Sequence, residues 1–278
     1  GRFKETNKTN EMVYPDNSKF FMDDHMIRWF DHYLKGVANG VEKDVAVKYY
    51  VMGAVGEKDA PGNVWKESAD WPLKSIPTSY YLSAGGKLGL NPTTIKSGKT
   101  DFIADPIKPA TIPAKGFPGG IDARTFESQD QVKTFTTEIL DAPVEWTGKV
   151  QAEMFLSSDA LDTDLIVRVS DVYPDGRSML IIDYVRRLRY REGYDKEVFL
   201  EKGKVAKVAF DVGSLSMKFN KGHKIRVTIA STGAPFYEPN PNTGEPLTVD
   251  FPANAKIANN SIHHEIGFQS KIIAPLIK

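Results

Sequence analysis

The stretch that decides the fold is KVQAEMFLSSDALDTDLIVRVS, residues 149–170. From Val150 to Leu156, apolar side chains alternate with their neighbours, and the same period returns between Leu165 and Val169. A period of two is the pattern of a β-strand that buries one face. The sequence therefore predicts two strands here, joined by the polar residues 157–164.

The same alternation extends outward in both directions, at residues 45–52, 206–212 and 224–229. Pro174-Asp175-Gly176-Arg177 is a tight-turn signal, so we expect it to join two of the strands in a hairpin. Many short strands with one buried face each predict a mainly β protein built as an antiparallel β-sandwich. Periodicity alone leaves sandwich, jelly roll and barrel open.

One helix is predicted, over residues 18–36. Its apolar side chains recur at three- and four-residue spacing and form one stripe: Met22, Met26, Trp29, Phe30, Tyr33 and Leu34. We expect Asn17 or Ser18 to cap its N-terminus and Lys35-Gly36 to end it.

Composition excludes several classes of function. The 278 residues carry 36 basic and 36 acidic side chains, and the net charge of zero offers no field for nucleic acid or an anionic membrane surface. No apolar stretch approaches the roughly 20 residues of a membrane helix. The absence of cysteine excludes disulfides and thiolate chemistry but leaves the compartment, cytoplasmic or exported, open. The basic residues 186–189 are interpreted as a solvated strand face.

No catalytic residue is predicted within this chain. A serine hydrolase presents its nucleophile in a Gly-x-Ser-x-Gly turn, and the nearest match, residues 213–217, has Met217 in place of the second glycine. His25 and His32 are expected on the helix surface, and His223 is expected to be exposed in a turn.

No cofactor and no metal site is predicted either. His263 and His264 would point to opposite faces of a strand, so a joint metal site with Glu265 would need a bend. The acidic residues 157–164 favour a turn over a calcium loop, because they lack the glycine and the closing glutamate of an EF-hand. Gly85-Gly86 carries no nucleotide signal.

Several segments together resemble one known family. They are residues 28–36 (RWFDHYLKG), 47–53 (VKYYVMG), 71–73 (WPL), 157–164 (SSDALDTD), 171–177 (DVYPDGR), 187–191 (RLRYR), 222–226 (GHKIR) and 240–244 (NPNTG). In this order they resemble the C-terminal region of the bacterial serine hydrolases that include cocaine esterase, α-amino-acid ester hydrolases, glutaryl-cephalosporin acylases and X-prolyl dipeptidyl peptidases. The resemblance extends from about residue 20 to the end of the chain.

The resemblance implies a domain organisation. Residues 1–74 would be the C-terminal remnant of an α/β-hydrolase domain, with a helix at about 18–36 and a strand at about 45–52. Residues 75–278 would form a jelly-roll domain of the galactose-binding-like type. The family's serine and aspartate lie far upstream, and its histidine precedes the helix that matches residues 18–36. The parent protein would then be an esterase, acylase or dipeptidyl peptidase, whereas the chain alone would lack the nucleophile and the triad histidine.

The resemblance also points to substrate-binding residues. In the family, the stretch that matches roughly residues 111–120 passes close to the acyl pocket, and Ile112 and Phe117 are its large apolar side chains. We therefore expect Phe117, and less strongly Ile112, to contact an ester or amide substrate. The family often has Asp-Gln-Arg where this chain has Asp122-Ala123-Arg124, which weakens any role for that loop.

Two other interpretations remain open at this level. The chain could be a free-standing carbohydrate-binding jelly roll, with Trp65, Trp71, Tyr80 and Tyr81 stacking on sugar rings. It could also be one chain of a processed two-chain enzyme, and a homo-oligomer is possible. The helix at 18–36 distinguishes a hydrolase segment from the first alternative, because a free-standing sandwich module would not need this helix.

Overall fold

The computed structural model describes residues 6–113, 120–246 and 253–278. Strands account for 43% and helices for 10%, so the prediction of a mainly β fold is confirmed. The α-helices are α1 (Met22–Lys35) and the short α2 (Arg124–Glu127), and the described residues also include three short 3-10 helices, Asp16–Ser18, Val41–Lys43 and Leu188–Tyr190. The strands are β1 (Lys8–Thr9), β2 (Met12–Val13), β3 (Val47–Val51), β4 (Val64–Ser68), β5 (Ile76–Ser83), β6 (Lys87–Gly89), β7 (Lys99–Ala104), β8 (Lys133–Thr136), β9 (Val144–Ser158), β10 (Asp164–Val172), β11 (Ser178–Arg187), β12 (Ala206–Phe219), β13 (Lys224–Ala230), β14 (Ala258–Glu265), β15 (Phe268–Gln269) and β16 (Lys271–Ile277).

Most strands belong to one large sheet, in the order β11-β10-β13-β8-β6-β5-β16-β9-β14-β15. Two further strands branch from this order, because β12 pairs with β9 and β7 pairs with β14. Its pairings are antiparallel except for β6 with β8, which meet in parallel. The hairpins β1–β2 and β3–β4 are separate two-stranded sheets.

The main core lies between two groups of strands. Trp146, Met154 and Phe210 come from β9 and β12, while Leu165 and Val227 come from β10 and β13, and all of them belong to one buried cluster. Two strand layers that share one apolar core form a β-sandwich, because each sheet must bury its apolar face against another.

Strand β10 differs from its prediction. Its sequence pattern indicated one buried face, but every residue from Asp164 to Val172 is buried. Leu165 and Val167 face the main core, whereas Ile166 faces a second apolar cluster with Phe126 of α2. The guanidinium of Arg168 lies over the Phe126 ring at 4.7 Å. A covering α2 segment therefore buries the face that the alternation had assigned to solvent.

The local predictions for the helix and the hairpin are mostly correct. Gly36 ends α1 in the left-handed conformation, with φ of 71°, but Phe21 rather than Asn17 or Ser18 is the N-cap and no side chain caps the helix. Residues 174–177 join β10 to β11, and the Gly176 N–H donates to the Tyr173 carbonyl at 3.0 Å. Gly176 has φ of 89°, a value that glycine adopts without strain.

The segment up to residue 74 contacts the sandwich through backbone hydrogen bonds and an apolar cluster. The Met52 N–H donates to the Ser216 carbonyl at 2.9 Å, and the Lys218 N–H donates to the Met52 carbonyl at 2.8 Å. A third apolar cluster contains Met12 and Tyr14 from this segment and Tyr173 from the sandwich. The division of the chain at residue 74 stays a prediction.

Candidate functional site

Helix α1 presents an uncovered apolar face. None of its 14 residues is buried. Trp29 is 48% exposed, Tyr33 is 54% exposed and Leu34 is 75% exposed, and Met26 and Phe30 are exposed beside them. A contiguous apolar patch of this kind on a helix is characteristic of an interaction surface.

Polar contacts hold the other side of α1 to the loop that follows it. Arg28 forms a two-pronged ion pair with Asp44, and its guanidinium also donates to the Asn39 carbonyl at 3.2 Å. The Asn39 side chain donates to the Arg28 carbonyl at 2.7 Å. These bonds fix the orientation of the helix from the side opposite its apolar stripe.

The β1–β2 hairpin contacts one end of the segment to which the predicted substrate residues belong. The Glu11 N–H donates to the Gly120 carbonyl at 3.0 Å, and the Asp122 N–H donates to the Glu11 carboxylate at 3.1 Å. Gly120 has φ of 59°, and a Cβ there would lie 2.2 Å from the Thr9 carbonyl oxygen. Only glycine fits this approach of two backbones.

The other end of the segment is fixed by Gln129 and Ala234. The Thr111 N–H donates to the Gln129 side-chain oxygen at 2.8 Å, and the Gln129 amide donates back to the Thr111 carbonyl at 2.9 Å. The Ile112 N–H donates to the Ala234 carbonyl at 2.7 Å. Ile112 is 2% exposed within the second apolar cluster, and Phe117 lies outside the described residues, so a substrate contact by either residue stays a prediction.

Three of the segments that carry the resemblance meet in one buried polar cluster. The Arg189 Nε donates to Asp162 at 2.7 Å, the Arg187 Nε donates to Asp164 at 2.9 Å, and the Asn240 amide donates to both carboxylates. Arg189 and Asp162 are fully buried. The interpretation of residues 186–189 as a solvated face is therefore wrong for Arg189, because its charge is neutralised inside the fold. These ion pairs engage Asp162 and Asp164, which are two of the three carboxylates in the acidic stretch 157–164.

The comparisons with known proteins agree with this organisation. A family model for the X-Pro dipeptidyl-peptidase C-terminal non-catalytic domain matches residues 39–273. The chain belongs to this family.

Proteins similar to this C-terminal domain include an esterase, an ester hydrolase and an aminopeptidase. It is 32% identical over 268 residues to cocaine esterase of Rhodococcus sp. (strain MB1 Bresler), a match that covers 90% of the chain and 45% of the esterase. An aminopeptidase from a marine sediment archaeon, Thaumarchaeota archaeon, shares the fold with a TM-score of 0.87 at 24% identity, over 99% of this chain and 47% of the other. An α-amino acid ester hydrolase follows with a TM-score of 0.76 at 23% identity, over 91% and 44%. The C-terminal domain thus spans less than half the length of these relatives.

The structure corrects the interpretation of one histidine in this C-terminal domain. His223 is fully buried, where the sequence indicated an exposed turn position. Its Nδ1 lies 2.8 Å from Asp171 Oδ1 and its Nε2 lies 2.8 Å from Glu57 Oε1. Burial opposes protonation of the ring, but the bonds to Asp171 and Glu57 outweigh it and raise the pKa of His223.

His263 and His264 occupy opposite faces of β14, as the sequence predicted for a strand. His263 Nε2 lies 2.8 Å from Ser157 Oγ and its Nδ1 lies 2.9 Å from Glu265 Oε1. His264 lies on the other side, with Nε2 at 3.1 Å from Thr100 Oγ1. Within the described residues, no three His, Cys, Asp or Glu side chains are grouped so as to hold a metal ion. The same ranges contain no helix with the length and apolarity to cross a bilayer.

The aromatic residues of the carbohydrate alternative do not form one platform. Tyr80 is 5% exposed and packs on Trp146, whereas Trp65 donates its indole N–H to the Asn17 carbonyl at 2.7 Å. Trp71 is exposed and lines a cavity of about 470 Å³ together with Tyr14 and Tyr50.

Proposed function

We propose that this C-terminal domain belongs to a serine hydrolase that cleaves acyl esters or amides, in the manner of an esterase, an acylase or an X-prolyl dipeptidyl peptidase. In this proposal it supports the catalytic α/β-hydrolase domain of the same protein and forms one wall of the substrate pocket. The uncovered apolar face of α1 is the observation that carries the proposal. The activities by which cocaine esterase, the aminopeptidase and the α-amino acid ester hydrolase are named support the reaction class.

The α1 face is suited to packing against a second domain. Fully burying a large apolar side chain contributes about 2 kcal/mol. Trp29, Phe30, Tyr33 and Met26 are each about half exposed, so covering them would contribute on the order of 4 kcal/mol. When the two domains share one chain, their association loses little translational freedom. A burial free energy of this modest size is then sufficient to hold the domains together.

The β1–β2 hairpin supports the pocket proposal for Phe117 and Ile112. The resemblance places the family's triad histidine upstream of the residues that match α1. The hairpin lies between that position and α1 in sequence, and it hydrogen-bonds to Gly120 and Asp122. Gly120 and Asp122, which follow Phe117 closely in sequence, are therefore bonded to the part of the chain nearest the expected histidine. This proximity of Gly120 and Asp122 to the hairpin supports a substrate contact by Phe117.

Substitution of Trp29 by aspartate tests the α1 face in two settings. In the isolated 278-residue chain, Trp29→Asp should lower the melting temperature only slightly, because Trp29 is already about half exposed there and its ring contacts Phe30 and Tyr33 of the same helix. In the longer protein that includes the catalytic domain, the same substitution should lower the melting temperature and the rate of ester hydrolysis. Lys35→Ala, at an exposed position near the end of the same helix, is the matched control and should change neither. Equal effects of Trp29→Asp in both proteins would contradict the proposed docking.

The carbohydrate-binding jelly roll remains the second candidate, and the cavity beside Trp71 is the observation that favours it. Exposed indole rings at cavity mouths stack on sugars through their faces. Isothermal titration of the isolated chain with neutral mono- and oligosaccharides, with Trp71→Ala as control, separates the two functions. Saturable binding that Trp71→Ala abolishes would support the sugar-binding candidate.

A further inference from the structure

Ser157, His263 and Glu265 form a hydrogen-bonded chain on the outer face of the sandwich. Ser157 lies near the end of β9, and Ser261 of β14 is its partner in the register. His263 and Glu265 follow on the same strand at two-residue spacing, so they share the face of Ser261. Ser157 Oγ lies 2.8 Å from His263 Nε2, and His263 Nδ1 lies 2.9 Å from Glu265 Oε1.

The chemistry of the three groups fixes the direction of the hydrogen bonds. An ionised carboxylate only accepts, so neutral His263 carries its proton on Nδ1 and donates it to Glu265. The lone pair on Nε2 then faces Ser157 and accepts a hydrogen bond from its hydroxyl group. Burial opposes ionisation of Glu265, but the bond from His263 outweighs it and lowers the pKa of this carboxyl. A serine, an imidazole base and an orienting carboxylate in this order are the arrangement that activates a hydroxyl nucleophile.

Access and charge around Ser157 suit an acyl donor. Ser157 lines a cleft of about 630 Å³ together with Lys99, Asp101 and Ser261. The Lys99 ammonium lies 3.3 Å from Ser261 Oγ and 3.1 Å from Asp101 Oδ1, which places an ion pair beside the residue that pairs with Ser157. The ammonium of this pair can stabilise negative charge that develops on a carbonyl oxygen when it turns from Asp101 toward that oxygen.

Two aromatic rings lie on the same face of the sheet as Ser157 and His263. The rings of Phe155 and Phe268 lie 5.6 Å apart, and the Phe268 ring lies 6.0 Å from the His263 imidazole. Phe155 precedes Ser157 by two residues on β9 and therefore points to the same side of the sheet. An aryl group of a small ester can lie against this pair of rings.

We propose that Ser157 is an acylation site for activated esters, with aryl esters as the chemical class. The Ser157 hydroxyl passes its proton to His263 Nε2 as the oxygen bonds to the acyl carbon. The bond from that carbon to the aryl oxygen breaks, and the aryl oxide leaves with the proton from His263. The product is an ester of Ser157 and one phenol.

The acyl group should remain on the protein. Ser157 lies in a paired strand rather than on a strand-to-helix turn, where free backbone N–H groups would stabilise the oxyanion. An aryl ester has a good leaving group and can acylate Ser157 without those donors, whereas the alkyl ester formed on Ser157 has a poor leaving group and resists hydrolysis. We therefore expect one acyl group per chain without steady-state turnover. This inference concerns the isolated chain and is independent of the proposed domain docking, so failure of one leaves the other standing.

The test is acylation of the 278-residue chain by p-nitrophenyl acetate. One equivalent of p-nitrophenolate should be released, intact mass should increase by one acetyl group, and peptide mapping should place that group on Ser157. Ser157→Ala should abolish the modification, and His263→Gln should slow it by about 100-fold or more, the usual contribution of a general base. Ser214→Ala removes an exposed serine of β12 and should change nothing.

Circular dichroism of each variant separates chemistry from folding. If His263→Gln unfolds the chain, Glu265→Gln, which keeps an acceptor for Nδ1 but removes the charge, should still slow acylation by roughly tenfold in a folded protein. Acetyl groups found only on lysines would overturn the proposal. So would equal acylation rates of the parent and of folded His263 or Glu265 variants.

Discussion

Replacing His223 with glutamine should destabilise the fold by about 3 kcal/mol or more near pH 6, and by much less near pH 9. His223 bridges Asp171, which is fully buried, and Glu57, which is mostly buried. Only the imidazolium form donates from both ring nitrogens, so the native arrangement holds a positive charge between two carboxylates. Glutamine can donate to one of them at most, and it leaves the buried Asp171 without its counter-charge.

The pH dependence has a definite sign. The pKa of His223 is raised above its ordinary value of 6.5 in the folded state. A raised folded-state pKa means that the stabilisation is complete below about pH 6.5 and is lost as the pH rises through the folded-state pKa. On the acid side, burial raises the pKa of Asp171, so the ion pair weakens when that carboxyl is protonated. The contribution of His223 to the free energy of unfolding is therefore largest at pH values between the titration of Asp171 and that of His223.

Urea denaturation followed by circular dichroism at pH 6 and pH 9 measures this effect. His25→Gln, at an exposed position of α1, is the matched control and should change stability by less than about 0.5 kcal/mol at either pH. Glu57→Gln keeps an acceptor for Nε2 and removes one charge, so it should cost less than His223→Gln with the same sign of pH dependence. If His223→Gln costs the same at both pH values, the imidazolium assignment is refuted.

Gly176→Val should lower the free energy of unfolding by about 1 kcal/mol or more, because φ of 89° is strained for a β-branched residue although the site is sterically open; an unchanged melting temperature would contradict this. Arg189→Met should lower the free energy of unfolding by about 3 kcal/mol or more, because it leaves Asp162 buried and unpaired. Arg177→Met, which removes a solvated ion pair, is the control and should lower it by less than about 1 kcal/mol; thermal melts of the two variants distinguish these outcomes. In the longer protein, Phe117→Ala should raise KM on the order of tenfold, about 1.4 kcal/mol, with little change in kcat, whereas lost stability with unchanged kinetics would indicate a core position.

The elements that sequence predicted well depend on neighbouring residues. The stripe on α1 has a period of three to four residues, and its end at Gly36 follows from the tolerance of glycine for positive φ. The turn at residues 174–177 is likewise local. The exposure of the α1 stripe could also be anticipated, because the resemblance assigned residues 1–74 to an α/β-hydrolase domain of which this chain would hold only a remnant.

The features that sequence missed depend on contacts between distant residues. His223 was interpreted as an exposed turn residue, but its two carboxylate partners lie 52 and 166 positions away. Ser157 and His263 are 106 positions apart, and only the pairing of β9 with β14 brings them together. Spacing rules for catalytic motifs cannot detect such a pair. Likewise, nothing in the alternation of β10 reveals that the short helix α2 covers its second face.

The place of β16 in the sheet has a consequence for how the chain folds during synthesis. This strand is the last in sequence, yet it lies between β5 and β9 and pairs with both. Until residues 271–277 leave the ribosome, β5 and one edge of β9 have unpaired backbone groups, and the main core lacks Ile272 and Ala274. The sandwich must therefore complete its folding late, after nearly the whole domain has emerged, and its exposed strand edges are natural binding sites for chaperones in the interval.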